Sequence, residues 1–80
     1  MTILSNQRQP NTLGARITTL RMGRGWRQSD LAAELGGTTR RSSVANWERG
    51  IVTPTAASLF ALAEALETTV EYLWGGVGEP

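Results

Sequence analysis

The chain has no cysteine and no histidine, and not one lysine. Without thiols there is neither a disulfide framework nor a thiolate metal site. Without histidine, the commonest metal ligand and the usual general base are missing. Without lysine, no side-chain amine can form a Schiff base. Ser5, Ser29, Ser42, Ser43 and Ser58 remain, with no obvious base to activate them. The composition argues against an enzyme and implies no metal and no cofactor. Long apolar runs are lacking as well. The longest, AASLFALAEAL, is interrupted by Glu64 and is too short for the roughly 20 residues that span a bilayer. The opening MTILSNQRQP has only Ile3 and Leu4 as strongly apolar residues after Met1, so it has no signal-peptide core. These absences lead us to expect a soluble cytoplasmic protein with no membrane partner.

Eighty residues make one small domain. A chain of this size buries only about 60% of its unfolded surface, so its core must be economical. The net charge is only +1, but its distribution is uneven. Residues 1–50 hold all eight arginines against Asp30, Glu34 and Glu48, or +5. Residues 51–80 hold no base and four acids, Glu64, Glu67, Glu71 and Glu79, or −4. A chance split would look the same, but a basic half beside an acidic half points to an anionic partner at one face.

The pattern along the chain is helical throughout. Residues 1–10 are polar, end in Pro10 and show no period, as expected of an N-terminal arm, which we bound at 1–11. Asn11 or Thr12 is placed to cap a helix in which Leu13, Ile17 and Leu20 share one face, ending near Gly23–Gly25. WRQSDLAAEL reads as a second helix anchored by Trp26, Leu31 and Leu35. GGTT breaks it. A third helix, about residues 39–48, would be capped by Thr38 or Thr39 and turn Val44 and Trp47 inward. Pro54 stops any continuation. Thr55 caps a fourth helix, with Leu59, Leu62, Ala63 and Leu66 at i, i+3, i+4 and i+7. TTVEYLW is a short fifth helix that contributes Leu73 to the core. Its Thr68 and Glu71 have capping-box spacing, and Gly75–Gly76 end it. The expected domain spans 12–76, followed by a tail at 77–80. The expected fold is all-α, with five short helices and no internal repeat.

The third helix is unusual in composition. TTRRSSVANWERG opens with arginines and short polar groups, carries no acid in its first turns, and ends on a large apolar ring. Two short helices around a tight glycine-containing turn form a helix-turn-helix, whose second helix offers its N-terminal end to the DNA major groove. Val44 and Trp47 would hold that helix to the core. Ser42, Asn46 and Arg49 lie near the opposite side, flanked by Arg41. Arginine can bond two guanine atoms at once, asparagine two adenine atoms, and serine a base or a phosphate. A solvated face with arginines for solubility would have a similar composition.

The segments LGARITTLRMGRGWRQSDLAAELG, SSVANWERG and TPTAASLFALAEALETTVEYLWGG, in this order, resemble the phage-repressor helix-turn-helix family, also called Cro-like or XRE-like. The resemblance covers residues 13–76. It implies a lambda-repressor-like five-helix domain that binds DNA as a two-fold dimer. By that resemblance Gln28, at the start of helix two, contacts phosphate and supports the recognition helix. Arg41, Ser42 and Asn46 fall at base-reading positions. Arg21 and Glu48 match an ion pair tying helix one to the end of helix three. Trp26 and Trp47 match core positions rather than base-stacking platforms.

This chain departs from the family pattern in three places. GGTTRR is about two residues longer than the usual turn. Counting back from Trp47 makes Arg41 and Ser42 the readers, whereas counting forward from Gly36 favours Thr39 and Arg40. We prefer the count from Trp47, which is anchored in the core. Arg27 stands where the family has a Ser, Thr or Asn cap, and it would bond a phosphate instead. Ile51 and Val52 replace basic loop residues and either tuck under helix four or touch a dimer mate.

The function expected from all this is sequence-specific binding of double-stranded DNA by a phage or bacterial repressor. The sites are Arg27, Gln28, Thr39, Arg40, Arg41, Ser42, Asn46 and Arg49. The operator would have two half-sites about one helical turn apart. A weak homodimer would form through helix five, with Trp74 or Val77 in contact unless Trp74 belongs to the core. Arg8 would enter a minor groove, or the arm would do nothing. The chain is expected to work alone or as the DNA-binding part of a longer repressor, in a phage-infected or lysogenic bacterial cell. An antitoxin or restriction–modification controller would use the same domain, and an antirepressor or toxin could then be a protein partner. A scaffold that binds only protein is the reading from another class.

Overall fold

Three threonines start three of the five helices among the described residues. In the computed structural model, which describes residues 12–79, Thr12 Oγ1 accepts from the Ala15 N–H at 3.1 Å and opens α1, Leu13–Gly23. Thr55 does the same for Ser58 at 3.1 Å and opens α4, Ala56–Ala65. Thr69 accepts from Tyr72 at 3.0 Å and opens α5, Val70–Gly75. Each bond satisfies an amide that the first helical turn would leave without a partner. Between α1 and α4 lie α2, Gln28–Leu35, and α3, Arg41–Arg49. No strand occurs among the described residues, and no helix is long and apolar enough to cross a membrane. The arm at 1–11, with Asn11 and Arg8, lies outside the described residues.

The helices wrap one core. Ile17 of α1, Leu31 of α2, Val44 of α3, Leu62 of α4 and Leu73 of α5 are all fully buried, one from each helix. Trp47, Leu59, Leu66, Ala32 and Ala63 complete this cluster. Leu13, Leu20, Trp26 and Leu35 pack against it while half-buried. α3 sits against both α1 and α2, α4 joins α2 and α5, and α5 returns to α1.

Three local expectations need correction. α2 starts at Gln28, where the family resemblance placed it, and not at Trp26 as the apolar pattern suggested, because Arg27 is extended and takes the cap position. α3 is not capped by Thr38 or Thr39. Gly36 and Gly37 both take left-handed φ angles, +69° and +60°, and the Thr39 N–H closes a turn onto the Gly36 carbonyl at 3.1 Å. The extra residues are used up in that reversal. Arg40 therefore holds the cap position and α3 begins at Arg41, which is the register obtained by counting back from Trp47. Finally, Thr68 does not cap α5. Glu67 turns left-handed at φ 55° and the Thr68 N–H bonds to the Ala63 carbonyl at 2.9 Å. Thr68 Oγ1 is left buried with no hydrogen-bond partner among the described residues, and the cap passes to Thr69.

Candidate nucleic-acid interface

α3 is pinned along one side and open along the other. Val44 and Trp47 are buried, whereas Arg41, Ser42 and Arg49 are exposed and Asn46 is half-buried. Ser43 and Ala45 are short, so the backbone between them can approach a groove floor. Just before the helix, Arg40 is exposed and Thr39 half-buried. The Arg40 side chain forms no capping bond with the first turn of α3.

Beneath this surface runs a polar network centred on Glu48. Arg21 Nε donates to Glu48 Oε2 at 2.7 Å, and its NH2 group reaches Oε1 at 3.3 Å. Arg21 NH1 also donates to the Trp26 carbonyl at 2.5 Å, tying the α1–α2 link to the same guanidinium. Gln28 Nε2 donates to Glu48 Oε1 at 3.0 Å. Its other amide atom, Oε1, faces Arg41 NH1 at 3.5 Å, at the outer limit of a hydrogen bond. The side chains of Arg21 and Glu48 are 11% and 6% exposed, so this ion pair is interior and structural.

At the start of α2, Arg27 offers no acceptor to cap the helix. Asp30 works from the other side, its Oδ2 accepting the Arg27 backbone N–H at 2.7 Å. That bond lowers the Asp30 pKa. Slight burial opposes the shift, and the Arg27 side chain at 3.4 Å adds to it. Arg27 itself remains exposed.

Charge counting along the chain overstated the basic face. Arg16 is buried, with Nε on the Leu73 carbonyl at 2.8 Å and NH2 on the Trp74 carbonyl at 2.9 Å, so it closes the end of α5. Arg21 is committed to Glu48. Arg24 lies over the Trp26 ring, 4.7 Å from its centroid, and pairs with Glu67 at 3.4 Å. Among the described residues, exposed Arg27, Arg40, Arg41 and Arg49 remain, all at the ends of α2 and α3. Arg16 was missed as a structural residue because nothing in its local pattern separates it from a surface arginine. Gly14 was also missed. It is buried where α1 crosses α3, and a Cβ there would lie 2.7 Å from the Trp47 carbonyl oxygen and closer still to that of Glu48. Ile51 and Val52 do not tuck under α4; they are 64% and 47% exposed. Trp74 is 59% exposed and is not core, and Val77 beside it is 66% exposed.

A model of the helix-turn-helix family matches residues 17–73, from the first core position of α1 to the last of α5. The chain belongs to the helix-turn-helix family. Among solved structures it is similar to the P22 c2 repressor protein in complex with synthetic operator 9T in the presence of Tl+. The TM-score is 0.77 at 31% identity, covering 81% of this chain and 96% of that one. No curated protein matches. As a helix-turn-helix protein the chain has α2 and α3 as its paired helices, and the arginine-bearing end of α3 is the part that family geometry presents to DNA.

Proposed function

We infer that this protein is a sequence-specific double-stranded-DNA-binding repressor of transcription. The observation that carries this reading is α3 itself. Its inner side is fixed by Val44, Trp47 and Glu48, while exposed Arg41 and Ser42 and half-buried Asn46 lie on the side that would meet base edges. The P22 c2 repressor, so similar in fold, is bound to an operator in its own structure. Arg27, Arg40 and Arg49 surround the reading residues and would hold phosphates. The protein acts by binding and not by catalysis, in keeping with its lack of histidine, cysteine and lysine.

Two copies would bind two half-sites. One helix-turn-helix reads few base pairs, and the exposed Trp74 and Val77 at the end of α5 are suited to an apolar contact between copies. Site selection from a random duplex library, followed by gel shifts at two salt concentrations, tests the reading. A selected palindromic site is expected, with log K falling by about 0.9 per log salt for each phosphate contacted. Binding that ignores salt would refute direct DNA contact. Sedimentation of the selected complex tests the dimer: one protein per site would remove it, and Trp74→Ser should weaken the full site more than an isolated half-site.

A further inference from the structure

The outer face of α4 takes no part in the surface described above. Ala57, Phe60 and Glu64 stand along it at helical spacing, and Phe60 keeps 66% of its surface exposed. Beside this stripe lies an open groove of about 380 Å³. Half-buried Trp26, Leu35 and Ala61 line its floor, and exposed Glu34, Glu64 and Glu67 line its edge. No residue of α3 contributes to it.

Arg24 already occupies one part of this groove. Its guanidinium rests over the Trp26 indole with one carboxylate, Glu67, at its side. An aromatic face with an adjacent acid is a favourable site for a cation. Glu34 and Glu64 form no ion pair among the described residues, so two more carboxylates on the same groove stand ready. We propose that this face docks a basic amphipathic helix of a second protein, its apolar side on Phe60 and the groove floor, its arginines or lysines on Glu34 and Glu64. Charge complementarity selects that occupant: every acid on the groove's edge is exposed, three carboxylates face a single base, and that base, Arg24, is paired with Glu67. A second copy of this chain fits less well, because among the described residues its exposed arginines outside the groove, Arg27, Arg40, Arg41 and Arg49, lie at the ends of α2 and α3. Since α3 is absent from the groove, the partner would bind whether or not DNA is present.

The test uses the full chain and a labelled synthetic helix of about four turns, leucine along one side and arginine along the other. A peptide of the same composition with its apolar residues scattered is the control. Fluorescence anisotropy without DNA should show the amphipathic peptide binding about tenfold more tightly than the control. Glu34→Arg with Glu64→Arg should weaken it by about tenfold or more, and Phe60→Ser should weaken it at unchanged charge. All three positions are exposed, so these variants should fold, which circular dichroism checks. Equal binding of both peptides, or binding indifferent to these substitutions, would overturn the proposal. Loss of a dimer on Phe60→Ser in sedimentation would also overturn it, by naming a second copy as the occupant. Because these measurements omit DNA, their failure is separate from any failure of the repressor reading.

Discussion

Glu48 and Gln28 meet beneath the helix-turn-helix, the Gln28 amide nitrogen 3.0 Å from Glu48 Oε1. The contact orients the glutamine. With its NH2 group given to Glu48, its oxygen turns toward Arg41. The same carboxylate holds Arg21, so one acid near the end of α3 organises α1, the start of α2 and, through Gln28, the start of α3.

Removing that acid should therefore cost stability. Glu48→Ala strands the Arg21 guanidinium in a site where it is only 11% exposed. The expected loss is about 3–5 kcal/mol in urea denaturation. Replacing both partners, Arg21→Met with Glu48→Leu, should recover much of it, because a buried ion pair is often matched by apolar packing. A single variant as stable as the parent would show that the pair contributes nothing.

Gly14 makes a second, steric prediction. Gly14→Ala drives a methyl into the α3 backbone at the Trp47 and Glu48 carbonyls. Backbone cannot rotate away as a flexible side chain can, so a loss of about 1–3 kcal/mol is expected. Gly23→Ala is the control. It lies in the same helix with nothing within 4 Å of its new Cβ, and it should be neutral or stabilise by up to about 1 kcal/mol. Equal melting temperatures for the two variants would refute the close crossing of α1 and α3.

DNA recognition separates two arginines of α3. Arg41→Ala should cost about 1–3 kcal/mol on the selected site and relax preference at one base position. Arg49→Ala, at the far end of the helix, should weaken selected and random DNA alike and flatten the salt slope by about one unit. Both side chains are exposed, so neither change should unfold the protein. If Arg40→Ala collapses the ratio of selected to random affinity while Arg41→Ala spares it, the turn and not the helix does the reading.

Asp30 supplies a pH test. Its native pKa lies below the ordinary 3.8, first because its carboxylate accepts the Arg27 backbone N–H. A depressed carboxylate stabilises the fold at pH above 3.8, and that contribution disappears as pH falls through the native value. Asp30→Asn should lower the urea midpoint slightly at neutral pH and flatten its decline in acid, the two proteins converging at the lowest pH. Parallel curves throughout would mean that the charge on Asp30 does not favour the fold.

The amino-acid sequence by itself determined the helices and most of the core. Apolar residues at i, i+3, i+4 and i+7 leave α4 one face to bury, and Thr12 and Thr55 mark where helices begin because a hydroxyl there satisfies a nearby amide. Such signals act within a turn or two, so they survive in a linear reading. Trp47 set the register of α3 for the same reason: a large ring has one energetically acceptable side. Tertiary structure decided which arginines reach solvent. Arg16 bonds a carbonyl 57 residues away, and Arg21 a carboxylate 27 residues away. A guanidinium on a long, flexible stem takes its role from whatever acceptor the fold brings near, and no local pattern encodes that acceptor. The need for glycine at position 14 arises in the same way, from the closeness of α3 to α1, and only the packed helices contain that distance.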